Sequence, residues 1–138
     1  MSTAPAAGRF TLLAASGASA LLLLDVTAVN VALPAIERGL DASFSELQWV
    51  IDAYALTLAV VLLSTGALAD RHGRRLVFLA GLGIFAAASL LCGAAGSPVT
   101  LDLARALQGV GGAAMFLSSL AILANEYHAE ARGRALGI

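Results

Sequence analysis

The sequence contains no lysine, one cysteine and few charged residues. Charged residues make up 12% of the 138 residues, whereas soluble domains carry about 25%. Cys92 has no second cysteine to pair with, which excludes an intrachain disulfide and a CxxC metal motif. His72 and His128 lack the spacing of metal ligands, and no nucleophile motif or phosphate-binding loop is present. We therefore expect neither an enzyme nor a cofactor, and the net charge of −1 gives no reason to expect nucleic acid as a partner.

The apolar residues are arranged in four long runs. Hydrophobic residues form 59% of the chain, against about 45–50% in soluble domains, and the mean hydropathy is +0.88. A helix that crosses the hydrocarbon core of a bilayer needs about 20 mostly apolar residues. We predict an all-α membrane protein with a disordered N-terminus over residues 1–9 and a fifth span that begins at about residue 135. The four predicted transmembrane helices are residues 10–33, 47–69, 76–95 and 98–124.

Local signals mark the ends of the first two spans. Pro34 is expected to kink the first helix, because proline lacks the backbone N–H that the helix needs, and Gly39 is able to end an extension of the helix beyond that kink. Ser43 and Glu46 form a capping-box pattern ahead of the second span. Arg9 before an apolar run is also typical of a signal peptide, but the three further runs favour a retained first span.

The arginines are distributed unevenly between the two predicted sides of the membrane. With four spans, the N-terminus, the loop between spans 2 and 3 and the segment after span 4 lie on one side. That side has six arginines, and the other side has only Arg38. Because cytoplasmic loops are enriched in Lys and Arg, we predict a multi-pass protein of the cell membrane with a cytoplasmic N-terminus.

Three ionisable side chains, Asp25, Asp52 and Arg105, fall within the apolar runs. Each costs roughly 2.5–3.5 kcal/mol to insert, so such groups usually face a bundle interior or a water-filled cavity and have a partner. A rise of about 1.5 Å per residue puts all three in the outer half of the bilayer, where Asp25 and Arg105 are able to pair. We interpret the pair as part of a proton or substrate pathway; the alternative is a structural ion pair that fixes helix packing. The role of Asp52 stays open, since it is also near enough to reach the outer interface.

Uncharged polar residues accompany these charges. Asn30 follows Asp25 by five residues, and Gln108 lies three residues after Arg105, on the same face of the fourth span. Tyr54, in the second span, is able to line a cavity. The predicted proton or substrate pathway comprises Asp25, Asn30, Asp52, Tyr54, Arg105 and Gln108.

The loop between the second and third spans breaks a rule of helix electrostatics. Asp70 lies at the C-terminal end of one helix and Arg74 at the start of the next, and each charge opposes its helix dipole. Opposite charges four residues apart indicate a local network, which is also where a gate between rigid bundles would be held closed. Glycines here would permit a tight turn and close helix approach. The predicted gating loop comprises Gly66, Asp70, Arg71, Gly73, Arg74 and Arg75.

The fourth span contains a cluster of small residues that includes Gly109, Gly111 and Gly112. Small residues let helix backbones approach closely in lipid. We predict that the three glycines serve helix packing rather than a hinge.

Four segments resemble motifs of the major facilitator superfamily. Residues 66–75, GALADRHGRR, look like its signature loop between spans 2 and 3, and residues 105–112, RALQGVGG, resemble its span 4 motif. Residues 24–34, LDVTAVNVALP, resemble the span 1 motif of the drug:proton antiporter branches, most closely the fourteen-span branch. Residues 49–54 fit the start of span 2 in that branch, and the similarity covers nearly the whole chain after residue 10.

The resemblance implies roles for the residues that match. Arg105 would belong to proton coupling, Asp25 to the proton and substrate pathway, and Asp70 and Arg74 to a gate on the cytoplasmic side. Asp52 departs from the pattern, in which a neutral residue is expected. The implied function is secondary active transport, in the form of proton-coupled efflux of drugs or other small organic compounds.

The resemblance also implies a larger protein. The family fold needs two six-span halves that rock around a central site, whereas four spans and the start of a fifth are predicted here. The chain would then be an N-terminal fragment that lacks its C-terminal spans, as a truncated product, a split subunit or a partial sequence. Two other interpretations stay open: a complete four-span exporter that works as a dimer, like the small multidrug resistance proteins, and a non-transporting truncated membrane protein.

Overall fold

The computed structural model describes residues 6–126 of the chain, with the side chains of residues 12–124. These residues form four helices: α1 (Ala6–Leu40), α2 (Phe44–His72), α3 (Arg74–Gly93) and α4 (Pro98–Glu126). Each helix contains a stretch that is long and apolar enough to cross a membrane. The prediction of an all-α membrane protein with four transmembrane helices is confirmed.

Helix α1 is longer at both ends than the predicted first span. It begins at Ala6, inside the segment predicted to be disordered, because alanines are the strongest helix formers and extend a helix at little cost. It also continues through Pro34 to Leu40, where Asp41 adopts a φ of 50° and reverses the chain. Residues 1–5 and the predicted start of a fifth span lie outside the described residues.

Short connections join the helices. Before α2, Ser43 and Glu46 form the expected capping box, in which the Ser43 backbone N–H donates to Glu46 Oε2 at 2.7 Å. Between α2 and α3 only Gly73 intervenes, and its φ of 93° is a conformation that L-residues with a side chain rarely adopt.

Helix α4 is the centre of the bundle. It packs extensively against α3 and α2 and less against α1, whereas α1 and α3 have few contacts with α2. Each of the three glycines of α4 faces a different neighbour. A Cβ atom on Gly109 would collide with Thr57 of α2, and one on Gly111 would come within 2.5 Å of the Phe85 backbone N of α3. On Gly112 it would lie 3.1 Å from Leu22 of α1.

Candidate functional site

Arg105 lies within the bundle, with only 2% of its surface exposed. Its Nη1 donates to Asp25 Oδ2 of α1 at 2.7 Å and to Gln108 Oε1 at 2.6 Å. Its Nε donates to the Val50 carbonyl of α2 at 3.1 Å, and its Cζ lies 4.2 Å from the ring centroid of Tyr54. A cation over an aromatic face is attracted by the ring quadrupole. One guanidinium therefore links α4 to α1 and α2.

Asp25 is held by donors on both carboxylate oxygens. Oδ2 accepts from Arg105, and Oδ1 accepts from Gln108 Nε2 at 2.7 Å. The Asp25 side chain is 14% exposed, so the ion pair is largely removed from solvent. The hydrogen bond from Arg105 has a charged donor and a charged acceptor, and such bonds are roughly twice as strong as neutral ones.

Gln108 connects this pair to α3. Its Nε2 donates to Ser89 Oγ at 2.9 Å as well as to Asp25, and its Oε1 accepts from Cys92 Sγ at 3.6 Å as well as from Arg105. An amide group has two N–H donors and two oxygen lone pairs, so all four of its bonding positions are used. Four helices thus contribute to one network, which we call the Asp25 network and which consists of Asp25, Val50, Tyr54, Ser89, Cys92, Arg105 and Gln108.

The direction of every polar bond in the Asp25 network follows from donor chemistry. A guanidinium has no acceptor, so the Gln108 atom that faces Arg105 is the amide oxygen, and the NH₂ end faces Asp25 and Ser89. The Ser89 hydroxyl donates to the Phe85 carbonyl at 2.9 Å and therefore accepts from Gln108. Both oxygens of Asp25 accept, so the arrangement suits the charged carboxylate.

A cavity of about 470 Å³ opens beside this network, between the second half of α1 and the adjoining ends of the other helices. Its wall is mostly aliphatic, with Ala28, Val29 and Ala32 of α1 among its lining residues. Cys92 and Arg105 also line it, so the network borders a space that a small apolar molecule would fit.

Two of the predicted pathway residues lie outside the network. Asn30 is exposed and donates to the Val26 carbonyl of its own helix at 2.8 Å. Five residues correspond to a rotation of about 140° around a helix, so Asn30 cannot share the face of Asp25. Asp52 is half-buried and forms no hydrogen bond or ion pair with the residues that the structure describes. The structure brings together Asp25, Tyr54, Arg105 and Gln108, and leaves Asn30 and Asp52 apart.

The segment predicted as a gating loop is almost wholly helical, because α2 continues to His72 and α3 begins at Arg74, which leaves only Gly73 as the turn between them. Asp70 Oδ1 lies 3.6 Å from Arg74 Nη2, and their side chains are 72% and 39% exposed. Arg74 Nη1 also donates to the Ala121 carbonyl of α4 at 2.8 Å, which ties the start of α3 to the far end of α4. The remaining members of the predicted loop, Gly66, Arg71, Gly73 and Arg75, are exposed.

Comparison with known proteins identifies the family. The sequence model of the Major Facilitator Superfamily matches residues 15–138. The chain belongs to the major facilitator superfamily. This confirms the resemblance of its motifs, and it makes the chain part of a family of transporters rather than of enzymes.

Several relatives in the superfamily are named for resistance or export. The chain is 48% identical over 123 residues to the puromycin resistance protein of Streptomyces alboniger, covering 88% of the chain and 24% of that protein. It is 45% identical over 116 residues to the methylenomycin A resistance protein of Bacillus subtilis, covering 83% and 25%. It is 40% identical over 128 residues to the tetracenomycin C resistance and export protein of Streptomyces glaucescens, covering 93% and 24%. The chain thus spans about a quarter of the length of the relatives it matches.

The sequence reasoning missed the contribution of α3. The sequence analysis considers Cys92 only as a candidate for a disulfide or a metal motif, and it does not single out Ser89. Phe85, Ser89 and Cys92 are spaced by four and three residues, so they share one helix face, and a serine on the buried face of a transmembrane helix was the available signal. The Val50 carbonyl is a backbone acceptor that residue types do not reveal.

Proposed function

We propose that this chain forms part of the N-terminal bundle of a proton-coupled exporter of drugs or other small organic compounds. In this proposal Asp25 is the proton-carrying group, Arg105 is its counter-ion, and further spans of the same protein complete the transporter. Names of the relatives that refer to resistance and export support the substrate class.

One observation supports the coupling role above the others: both oxygens of a membrane-embedded carboxylate accept hydrogen bonds from α4. Because both oxygens accept from α4 and one of the donors is the Arg105 cation, the charged form of Asp25 holds α1 against α4. The neutral acid would lose the charge attraction to Arg105. Proton binding would therefore weaken the α1–α4 contact, which is the step that an exchanger needs in order to link proton uptake to a change of shape.

The remaining predicted features fit the same proposal. The turn around Asp70 and Arg74 would form the gate on the cytoplasmic side, and the N-terminus would lie in the cytoplasm of a cell-membrane protein. Asp52 and Asn30 have less support as residues of the proton or substrate pathway, because neither contacts the Asp25 network. Two N-terminal fusions test the orientation, one to green fluorescent protein and one to alkaline phosphatase. We expect the first fusion to be fluorescent and the second to lack phosphatase activity.

The transport proposal is tested in an exchange chimera, in which this chain replaces the aligned segment of the puromycin resistance protein. The chimera would be reconstituted into proteoliposomes, and puromycin movement would be followed under an imposed pH gradient. We expect gradient-dependent transport that is lost in Asp25→Asn and in Arg105→Ala. The matched control is Asn30→Ala, which removes a polar side chain of α1 that is exposed and outside the network.

A folded and inserted chimera that moves puromycin equally with and without the pH gradient would contradict proton coupling. Equal transport by wild type and Arg105→Ala would remove Arg105 from the mechanism. The same assay on the 138-residue chain alone addresses the four-span dimer: gradient-driven transport together with crosslinked dimers would replace the present proposal with that one.

A further inference from the structure

Ser89 is the α3 side chain that accepts a hydrogen bond from the side-chain amide nitrogen of Gln108. Neither the charge pattern nor the family motifs single out Ser89. Its Oγ donates to the Phe85 carbonyl at 2.9 Å and accepts from Gln108 Nε2 at 2.9 Å. Since its only proton is directed to its own helix, the oxygen that it presents to Gln108 is an obligatory acceptor. Ser89 therefore favours one orientation of the Gln108 side-chain amide.

That orientation matters for Asp25. With the NH₂ end toward Ser89 and Asp25, Gln108 donates to Asp25 Oδ1 at 2.7 Å. The reversed amide would direct an oxygen at the carboxylate and N–H groups at the Arg105 guanidinium, so acceptor would face acceptor and donor would face donor. Ser89 and Arg105 thus act on opposite ends of the same amide to keep a donor against Asp25.

We propose that Ser89 is a positioning residue, which holds Gln108 as a donor to Asp25 and so makes α3 part of the proton-coupling site. This inference rests on the proposed coupling function and extends it to a helix that carries no charge in its membrane-spanning part. Ser89 does not contact Asp25 itself; it acts through Gln108. Within the described residues, the titratable or charged groups that face Asp25 are Tyr54 of α2, Cys92 of α3 and Arg105 of α4.

The first test uses Cys92, the only cysteine of the chain, as a reporter. Its thiol donates to Gln108 Oε1 and lines the cavity beside Arg105, so its rate of alkylation by N-ethylmaleimide reports whether Gln108 is held. Measurements are made on the 138-residue chain in membranes at one fixed pH. We expect Ser89→Ala to raise the rate about fivefold, the factor expected from loss of one hydrogen bond.

Two controls separate positioning from packing. Ser89→Thr keeps the hydroxyl and should restore the wild-type alkylation rate. Ser119→Ala removes another buried serine hydroxyl, which donates to the Phe116 carbonyl of α4 and does not belong to the network; it should leave the rate unchanged. In a Gln108→Leu background, Ser89→Ala should have no further effect, because the residue through which Ser89 acts is gone.

The second test is the pH profile of transport by the exchange chimera. A hydrogen bond to the charged form of a carboxylate favours that form. Loss of the Ser89 contact should therefore move the pH of half-maximal transport upward, with Ser89→Thr at the wild-type value and Ser119→Ala unchanged.

The two tests distinguish failure of this inference from failure of the proposed function. If the chimera shows no proton coupling, the transport role fails, while the alkylation rates still show whether Ser89 holds Gln108. If transport depends on Asp25 and Arg105 but Ser89→Ala matches wild type in both tests, Ser89 is not a positioning residue. An equal effect of Ser89→Ala with and without Gln108 would also overturn the inference, because Ser89 would then act by packing alone.

Discussion

Two carboxylate–guanidinium pairs in this chain have the same chemistry and opposite surroundings. Asp25 and Arg105 lie 2.7 Å apart, are 14% and 2% exposed, and are 80 residues apart in sequence. Asp70 and Arg74 lie 3.6 Å apart, 72% and 39% exposed, and are four residues apart. A buried ion pair is costly to break on one side only, whereas an exposed pair contributes about 0–1 kcal/mol. The first pair can therefore hold two helices together, and the second can stabilise only a local turn.

The largest expected effect is the loss of one partner of the buried pair. Arg105→Ala leaves the Asp25 carboxylate without its counter-ion and removes the contacts to Val50 and Tyr54, which should destabilise the bundle by about 3–5 kcal/mol. The measurement is the thermal midpoint of the detergent-solubilised chain, followed by fluorescence-detected size exclusion.

The double variant Asp25→Leu with Arg105→Met is the control for this prediction. It removes both charges and fills a similar volume, so it should be more stable than either single variant. If the double variant instead lost as much as the sum of the two single variants, the pair would not be coupled in the way the geometry indicates.

A smaller effect is expected from two glycines, one in the contact between α3 and α4 and one close to the exposed turn. Gly111→Ala, on the face of α4 that packs against α3, places a Cβ within 2.5 Å of the Phe85 backbone N and should cost about 1–3 kcal/mol. Gly66→Ala lies toward the exposed turn, with no atom within 4 Å of the added Cβ, and should be neutral or slightly stabilising. The same thermal assay compares them, and equal losses would mean that α3 and α4 are not as closely packed as described.

Small effects are also expected within the exposed pair itself. Asp70→Ala removes the ion pair with Arg74 and also a charge that opposes the helix dipole, so it should change stability by less than about 1 kcal/mol. Arg74→Ala also removes the bond to the Ala121 carbonyl of α4 and should cost more, by about 1 kcal/mol. Chemical denaturation at low and high salt checks this order, since salt should reduce the Asp70 contribution and leave that of Asp25 almost unchanged. A larger loss of stability for Asp70→Ala than for Arg74→Ala would contradict the stabilising role given to the Arg74–Ala121 hydrogen bond.

Sequence reasoning succeeded where a feature depends on spacing along one chain segment. The four helices follow from the lengths of the apolar runs, and the capping box at Ser43 and Glu46 follows from residue types three positions apart. The pairing of Asp25 with Arg105 was accessible because depth in a bilayer can be counted from the residue number.

Sequence reasoning was less informative where the structure depends on rotation about a helix or on backbone groups. Asn30 was grouped with Asp25 by proximity in sequence, although a rotation of about 140° separates their directions. Residue types do not show that Ser89 of α3 meets Gln108, or that the Val50 carbonyl accepts from Arg105, because both depend on how the helices are rotated against one another.

The central position of α4 has a consequence for the order of assembly during synthesis. The first three helices are made before α4 and have few contacts between α1 and α2 or between α2 and α3. We therefore expect them to enter the bilayer as largely independent helices, with Asp25 lacking its partner until the chain has been extended by 80 residues to Arg105. Insertion of α4 is the event that converts separate helices into a bundle, so a ribosome stalled before α4 would hold three helices that insertion machinery or lipid must accommodate.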